Sequence, residues 1–333
     1  MRLNYKQWIQ VVLSFGVAIW IFWFLYKDIS FESLKRALSE TSFALVGLSV
    51  LVSLMGYWIR AWRWRLLIEA GEKIKVSTAR SFVALMIGYL TNLLIPRAGE
   101  VARCAVLAKT EDQQMGKLIG TVILERTIDL LFMLITITLA FLLERRLFLN
   151  LLTDLIVFDE IVQKMLVSLP ILIGGILITG IFFYFVFHKY RGSGVFRKLR
   201  HFLRDIIKGF ISVRRVKNQR GFWASSLAIW IIYYLMMLFV AWAIPATASL
   251  SLSAVLLVMV MGSIGMVAPV QGGIGTFHAL VAFILIAFGL SEEQGKIFAV
   301  IIHSSQVFTV LMAGLATSVI FLKITAKKAS KTH

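Results

Sequence analysis

Asn92-Leu-Leu-Ile-Pro-Arg-Ala-Gly-Glu-Val-Ala-Arg103 puts a proline, a glycine and three charged residues into the middle of an apolar run. Hydrocarbon offers no partner for open backbone and no solvation for charge. Such a break is tolerated only where protein or a watery cavity surrounds it. A second break, Ala268-Pro-Val-Gln-Gly-Gly-Ile-Gly-Thr276, interrupts another apolar run in the later half of the chain. Two Pro/Gly-interrupted segments in matching places of two halves point to a transport-type site near the bilayer midplane.

The rest of the composition agrees with a membrane setting. Of 333 residues 59% are hydrophobic and only 16% charged, with a mean hydropathy of +0.85. A soluble domain carries roughly a quarter charged residues. The formal net charge of +18 is concentrated in a few loops, which reads as the positive-inside pattern and attraction to anionic headgroups. No nucleic-acid module is present, and nucleic acid is not expected as a partner. Cys104 is the single cysteine, so there is no intrachain disulfide and no thiol partner for metal or redox work. No two-His-plus-acid spacing suggests a metal, and no cofactor is expected.

Windows long enough to span, about 20 residues, fall at roughly 8–26, 43–61, 118–142, 166–187, 223–243 and 297–322. The first, after Arg2 and Lys6, is too long for a signal-peptide core and lacks a cleavage site, so it is read as a retained helix. The segment Arg60 to Arg80 carries six basic residues, Lys189 to Arg220 carries eleven with one acid, and the tail is Lys-rich. These charges place both termini, 62–80 and 188–222 in the cytoplasm, the chain lying in the cytoplasmic (inner) membrane. The broken segments, 79–109 and 252–290, then each leave and return on one face, the first from inside and the second from outside.

The expected fold is therefore all-α: a polytopic membrane protein of about six spanning helices plus two opposed re-entrant hairpins in an inverted repeat. Residues 1–333 form one membrane domain, with halves 1–143 and 166–322 and a basic linker at 188–222. Apolar Val195, Phe196, Leu199, Phe202, Leu203, Ile206, Ile207 and Phe210 among the linker's basic residues suggest an amphipathic surface helix. Two complete short helices per broken segment would preserve the same loop assignments.

Pro96 and Gly99 let a new half-helix start, placing Glu100 and Arg103 three apart on one face. Its N-terminus, with Arg97 and Arg103, suits a phosphate. Glu100 would orient the arginines or exchange protons, and a self-neutralising cluster that fixes the hairpin is the plainer alternative. In the next span Glu125 and Asp129 share a face with Arg126 rotated off it, one or two turns from the cytoplasmic end. This group is read as an ion-pair partner of Arg97 or Arg103, or equally as a structural clasp. After Pro269 the run Gly272-Gly273-x-Gly275 can form an anion-binding nest or a close helix contact, and Gln271 and His278 are polar side chains that could face a cavity. His303, Ser304, Ser305 and Gln306 stand opposite the Glu125 region. Trp20, Trp23, Trp58, Trp62 and Trp64 read as interface anchors.

Three ordered motifs, Asn92-Leu-Leu-x-Pro-x-x-x-Glu-x-x-Arg, Glu125-Arg-x-x-Asp and Pro269-x-x-Gly-Gly-Ile-Gly, resemble the lysylphosphatidylglycerol synthase transmembrane-region family of flippase-like membrane proteins. That family includes the membrane half of the multiple peptide resistance factor, which moves aminoacylated phosphatidylglycerol across the bilayer. The resemblance covers about 10–320 and singles out Pro96, Arg97, Gly99, Glu100, Arg103, Glu125, Arg126, Asp129, Gly272, Gly273 and Gly275. Two departures stand out. The chain stops at its Lys-rich tail without a soluble aminoacyltransferase domain, so synthase activity is not expected. Relatives often place an acid where this chain has His278.

The expected function is translocation of an anionic or aminoacylated phospholipid, or a related phosphate-bearing lipid such as a polyprenyl phosphate. Membrane lipids are the expected partners, with a homo-oligomer also allowed. The chain is expected to be a transporter and not an enzyme. A membrane enzyme acting on lipid phosphate or sugar-lipid, and a non-transporting scaffold, are the alternatives. Against the enzyme stand the lack of a nucleophile–base pair and of paired aspartates at metal spacing.

Overall fold

In a computed structural model the described residues are 16, 23, 27, 29–70, 76–95, 97–147, 213–268 and 270–329. Every regular element among them is helical. In chain order they are α1 (Phe31–Glu40), α2 (Phe43–Ile68), α3 (Thr78–Leu94), α4 (Gly99–Glu111), α5 (Met115–Leu143), α6 (Gln219–Ala243), α7 (Leu252–Val267), a 3-10 turn (Gln271–Gly273), α8 (Thr276–Ala287) and α9 (Glu292–Ala329). Most of the expected spans at 8–26 and 166–187, much of the 188–222 linker with its amphipathic stretch, Trp20, Pro96 and Pro269 lie outside the described residues, as does the side chain of Gln271.

The helices begin where the sequence supplies a cap. Ser30, Ser77, Asn218 and Ser251 each accept a main-chain N–H in the first turn of α1, α3, α6 and α7, satisfying donors that have no intrahelical partner. Helices α2, α5, α6 and α9 are long and apolar enough to cross a membrane. They match the expected spans at 43–61, 118–142, 223–243 and 297–322. Large apolar side chains such as Leu130, Leu134, Leu142, Leu311, Leu315 and Leu322 remain exposed on α5 and α9. An apolar belt of this kind suits lipid rather than water. The chain is a multi-pass membrane protein, in contact with membrane lipids.

Helices α2 and α6 pack antiparallel. The Ser42 N–H donates to Ala243 O at 2.8 Å, Ser49 Oγ donates to Met236 O at 3.0 Å, and a Cβ built on Gly56 would fall 2.7 Å from Ile232 Cγ2. The two broken segments form helical hairpins. In the first, Arg80 and Glu111 pair at 2.5 Å where α3 starts and α4 ends. Nearer the tip, a Cβ on Gly99 would come 2.0 Å from Gly88 O. In the second, Gly265 lies against the Phe277 backbone, with only 2.7 Å to Phe277 Cα for any Cβ. At 1.5 Å per residue, α3, α4, α7 and α8 are about 26, 20, 24 and 18 Å long, short of the ~30 Å hydrocarbon core.

Each hairpin also packs on a long helix distant in sequence: α3 on α9, and α7 on α5. A Cβ on Gly314 of α9 would meet Leu90 Cβ of α3 at 2.9 Å.

Candidate functional site

The charges converge in the bundle. Glu125 of α5 is fully buried and takes contacts from three arginines: Arg60 Nε at 2.9 Å, Arg63 Nη2 at 3.4 Å and Arg103 Nη1 at 3.0 Å. One turn on, Asp129 accepts from Arg63 Nη2 at 2.6 Å and from Arg60 Nη2. Arg60 also donates to the Tyr233 hydroxyl of α6, and Arg63 Nη1 reaches Ser226 Oγ of α6 at 3.4 Å. On the outer side of α5, Arg126 Nε donates to Glu100 Oε1 at 2.7 Å in a half-exposed pair. Four arginines thus face three carboxylates, an excess of one positive charge. Helices α2, α4 and α5 supply the charges, and α6 supplies hydroxyls.

Some of this answers the sequence reading. Glu100 and Arg103 do share the face of α4 that meets α5, and Glu125 is an ion partner of Arg103. Several expectations need correction. Arg60 and Arg63 count in the sequence as charges of a basic segment, Arg63 beyond the expected span, but α2 runs to Ile68 and buries both, at 5% and 0% exposed. Their stems lie in the bundle because two acids of α5 neutralise them there; an unpaired buried charge would be strongly unfavourable. Trp64 is not an interface anchor. It is fully buried, its Nε1 donates to Thr121 Oγ1 at 2.9 Å, and the Arg103 guanidinium sits 4.6 Å from its ring. Trp23 and Trp58 do remain exposed. Helix α5 starts at Met115, so Glu125 lies about 15 Å along it.

Arg97 does not pair with the Glu125 group. It sits at the tip of the first hairpin with φ 60°, and its Nη2 donates to Val267 O at 3.0 Å, at the last residue of α7. The two broken segments therefore touch. A Cβ on Gly272 would likewise meet Leu93 Cδ2 of α3 at 3.3 Å. The N-terminus of α4 is partly satisfied from within, since the Gly99 N–H donates to Asn92 Oδ1 at 2.6 Å. Arg103 is only 2% exposed, and its contact with Glu125 is off the hydrogen-bond axis. Among the described residues none of its guanidinium nitrogens finds a hydrogen-bond partner.

At the second break Gly272, Gly273 and Gly275 all take positive φ, at 55°, 76° and 90°. Such a run is open to glycine and strained for other residues. Gly275 N donates to His278 Nδ1 at 3.3 Å, and Thr276 Oγ1 donates to Gly265 O at 2.7 Å. His278 is thus turned inward, within 3.3 Å of His303 on α9. Further along α9, Gln306 meets the Tyr57 hydroxyl of α2 at 3.5 Å, and Tyr57 packs on Tyr89 of α3. These contacts place polar side chains between α2, α3, α8 and α9. Among the described residues no group of three or more His, Cys, Asp or Glu side chains could hold a metal.

What the sequence reading missed was Arg60, Arg63, Tyr233 and the His278–His303 pair. A signal existed for the first two: Arg60 and Arg63 are three apart, Glu125 and Asp129 four apart, and each spacing puts two like charges on one helix face.

The profile of the family described as Lysylphosphatidylglycerol synthase TM region matches residues 8–314, and the chain belongs to that family. Comparison with curated proteins and with solved structures gave no match.

Proposed function

We propose that this member of the lysylphosphatidylglycerol synthase TM region family moves the headgroup of an anionic or aminoacylated phospholipid, or a related phosphate-bearing lipid, across the cytoplasmic membrane. It acts as a transporter and not as an enzyme. Family membership supports a lipid-related role in the membrane. The observation that carries the translocation reading is the meeting of the two broken segments at Arg97 and Val267, beside an arginine-rich buried cluster.

In this reading the hairpins are re-entrant and opposed, and the halves form an inverted repeat. The packing supports it: α3–α9 answers α7–α5, and α2–α9 answers α6–α5. Residues 62–80 and both termini face the cytoplasm. The headgroup travels between the hairpin tips while its tails stay in lipid. Arg97 provides the exposed cation. Arg103, with unspent donors and a single excess charge around it, provides the buried one. Glu100 and Arg126 form a half-exposed pair that can exchange partners with a headgroup amine or phosphate at small cost, because such pairs contribute only about 0–1 kcal/mol. The glycine turn seats the headgroup from the other side. No nucleotide-binding motif is present in the sequence, so energy comes from an ion gradient, a lipid gradient or a partner.

The test is translocation of headgroup-labelled lipids in proteoliposomes, comparing wild type with Arg97→Ala and Glu100→Gln at matched reconstitution. Transport by wild type and its loss in folded variants is the expected result. If wild type moves none of a panel of anionic and prenyl lipids, the reading fails. Conversion of a lipid to product by the pure protein would make it an enzyme.

A further inference from the structure

The glycine turn is closed by a chain of hydrogen bonds whose two ends dictate its middle. At one end the Gly275 N–H points at His278 Nδ1, 3.3 Å away. A main-chain N–H can only donate, so His278 Nδ1 carries no proton. At the other end His303 Nε2 lies 2.8 Å from Gly272 O. A carbonyl can only accept, so His303 Nε2 carries its proton. Between these ends His278 Nε2 lies 3.3 Å from His303 Nδ1. This contact is satisfied when His278 Nε2 donates and His303 Nδ1 accepts, which makes both rings neutral in the same tautomer. The chain starts and ends on residues of one turn, Gly275 and Gly272, both at positive φ.

A second proton on either ring breaks this arrangement. On His303 it goes to Nδ1, where two N–H groups would then face each other. On His278 it goes to Nδ1, against the Gly275 N–H. Both imidazoles are nearly buried, at 2% and 7% exposed. Phe277 stacks on His303 at 5.3 Å and meets His278 edge-on at 5.9 Å. Around the turn α3 contributes Leu93, α7 contributes Met266 and the Gly265 carbonyl, and α9 carries Gln306 one turn beyond His303. Arg97 is a charged group at this end, held on Val267 O. Of these groups the two imidazoles are the ones with a ring nitrogen able to take up a further proton.

We propose that His278 and His303 form a proton-binding site that latches the glycine turn: neutral rings hold it closed, and one proton opens it. The latch stands on the geometry of the turn. Its use as the coupling step for transport rests on the translocation reading.

The experiment uses the full chain in nanodiscs of fixed lipid composition. Two quantities are followed between pH 7.5 and 5.0: histidine 15N shifts, which report tautomer and charge, and main-chain hydrogen exchange over residues 270–278, corrected for the intrinsic effect of pH. At pH 7.5 two histidines should show the neutral tautomer protonated at Nε2. As either becomes imidazolium, exchange in the turn should rise at least tenfold. His303→Gln and the double variant His278→Asn/His303→Gln should lose that pH dependence. The spectrum of the wild type decides the matter even if a variant fails to fold. Rings that stay neutral to pH 5.0, or that protonate while the turn stays closed, overturn the latch. A protein that shows the latch but moves no lipid leaves it standing and removes the translocation reading.

Discussion

Arg97 donates from Nη2 to the main-chain carbonyl of Val267 at 3.0 Å, tying the tip of the first broken segment to the end of the helix that leads into the second. The carbonyls at the end of α7 have no intrahelical donor and carry the negative end of the helix dipole, so a guanidinium is well suited to them. Arg97 reaches them from φ 60°. For a residue with a Cβ that conformation costs about 1–2 kcal/mol. Strain of this order persists where the surroundings over-determine it, and it collects at sites that work.

Two substitutions separate the strain from the bond. Arg97→Gly loses the bond and relieves the backbone, whereas Arg97→Ala loses the bond and keeps the strain. The glycine variant should be the more stable of the two by about 1 kcal/mol, read from thermal unfolding in detergent. Both should fail in lipid translocation. A glycine variant that still transports would show that the tip contact is dispensable.

Glu125→Gln leaves three arginines around a neutral amide. Removing one partner of a buried ion group costs about 3–5 kcal/mol, so unfolding should move to markedly lower temperature. Asp129→Asn should cost less, because Asp129 is 15% exposed and draws on solvent. Arg103→Met combined with Glu125→Gln should cost less than the two changes added together, since the pair is in contact. Simple additivity would refute the ion pair.

Trp64→Phe removes the indole donor to Thr121 and weakens the face presented to Arg103. Thr121 keeps its own bond to Leu118 O at 2.7 Å, so the loss should stay near 1 kcal/mol. The loss should be the same in nanodiscs of thin and thick lipids. A dependence on bilayer thickness would restore Trp64 to the interface.

Glycine-to-alanine changes offer an internally controlled test of the hairpins. At Gly99 the new Cβ would sit 2.0 Å from Gly88 O, and at Gly265 2.7 Å from Phe277 Cα. Backbone cannot yield as a side-chain tip does, so each should lose about 1–3 kcal/mol or more. Gly120→Ala in α5 meets nothing within 4 Å and should gain up to about 1 kcal/mol from helix propensity. Equal effects at Gly99 and Gly120, measured by thermal unfolding, would argue against the close hairpin.

Much of the architecture was legible because membrane solvation acts residue by residue. Apolar runs long enough to span gave α2, α5, α6 and α9, and Pro/Gly interruptions gave both breaks. Helix ends were less legible. The end of α2 was set at 61 because Arg60, Arg63 and Arg65 resemble the start of a basic loop, whereas the helix continues to Ile68. A positive charge near the end of an apolar run has two readings, and only its partner chooses between them.

The sequence by itself therefore determined where hydrocarbon could and could not surround the chain: the apolar runs, the two breaks and the acids that need neutralising. Burial cost is a property of each residue and its near neighbours, so it can be read along a line. Only the tertiary structure decided which charges neutralise one another and which turn each histidine closes. Arg60 and Glu125 are 65 residues apart, and Arg97 and Val267 are 170 apart. Ion pairs and hydrogen bonds act over a few ångströms of space, and packing alone sets those distances.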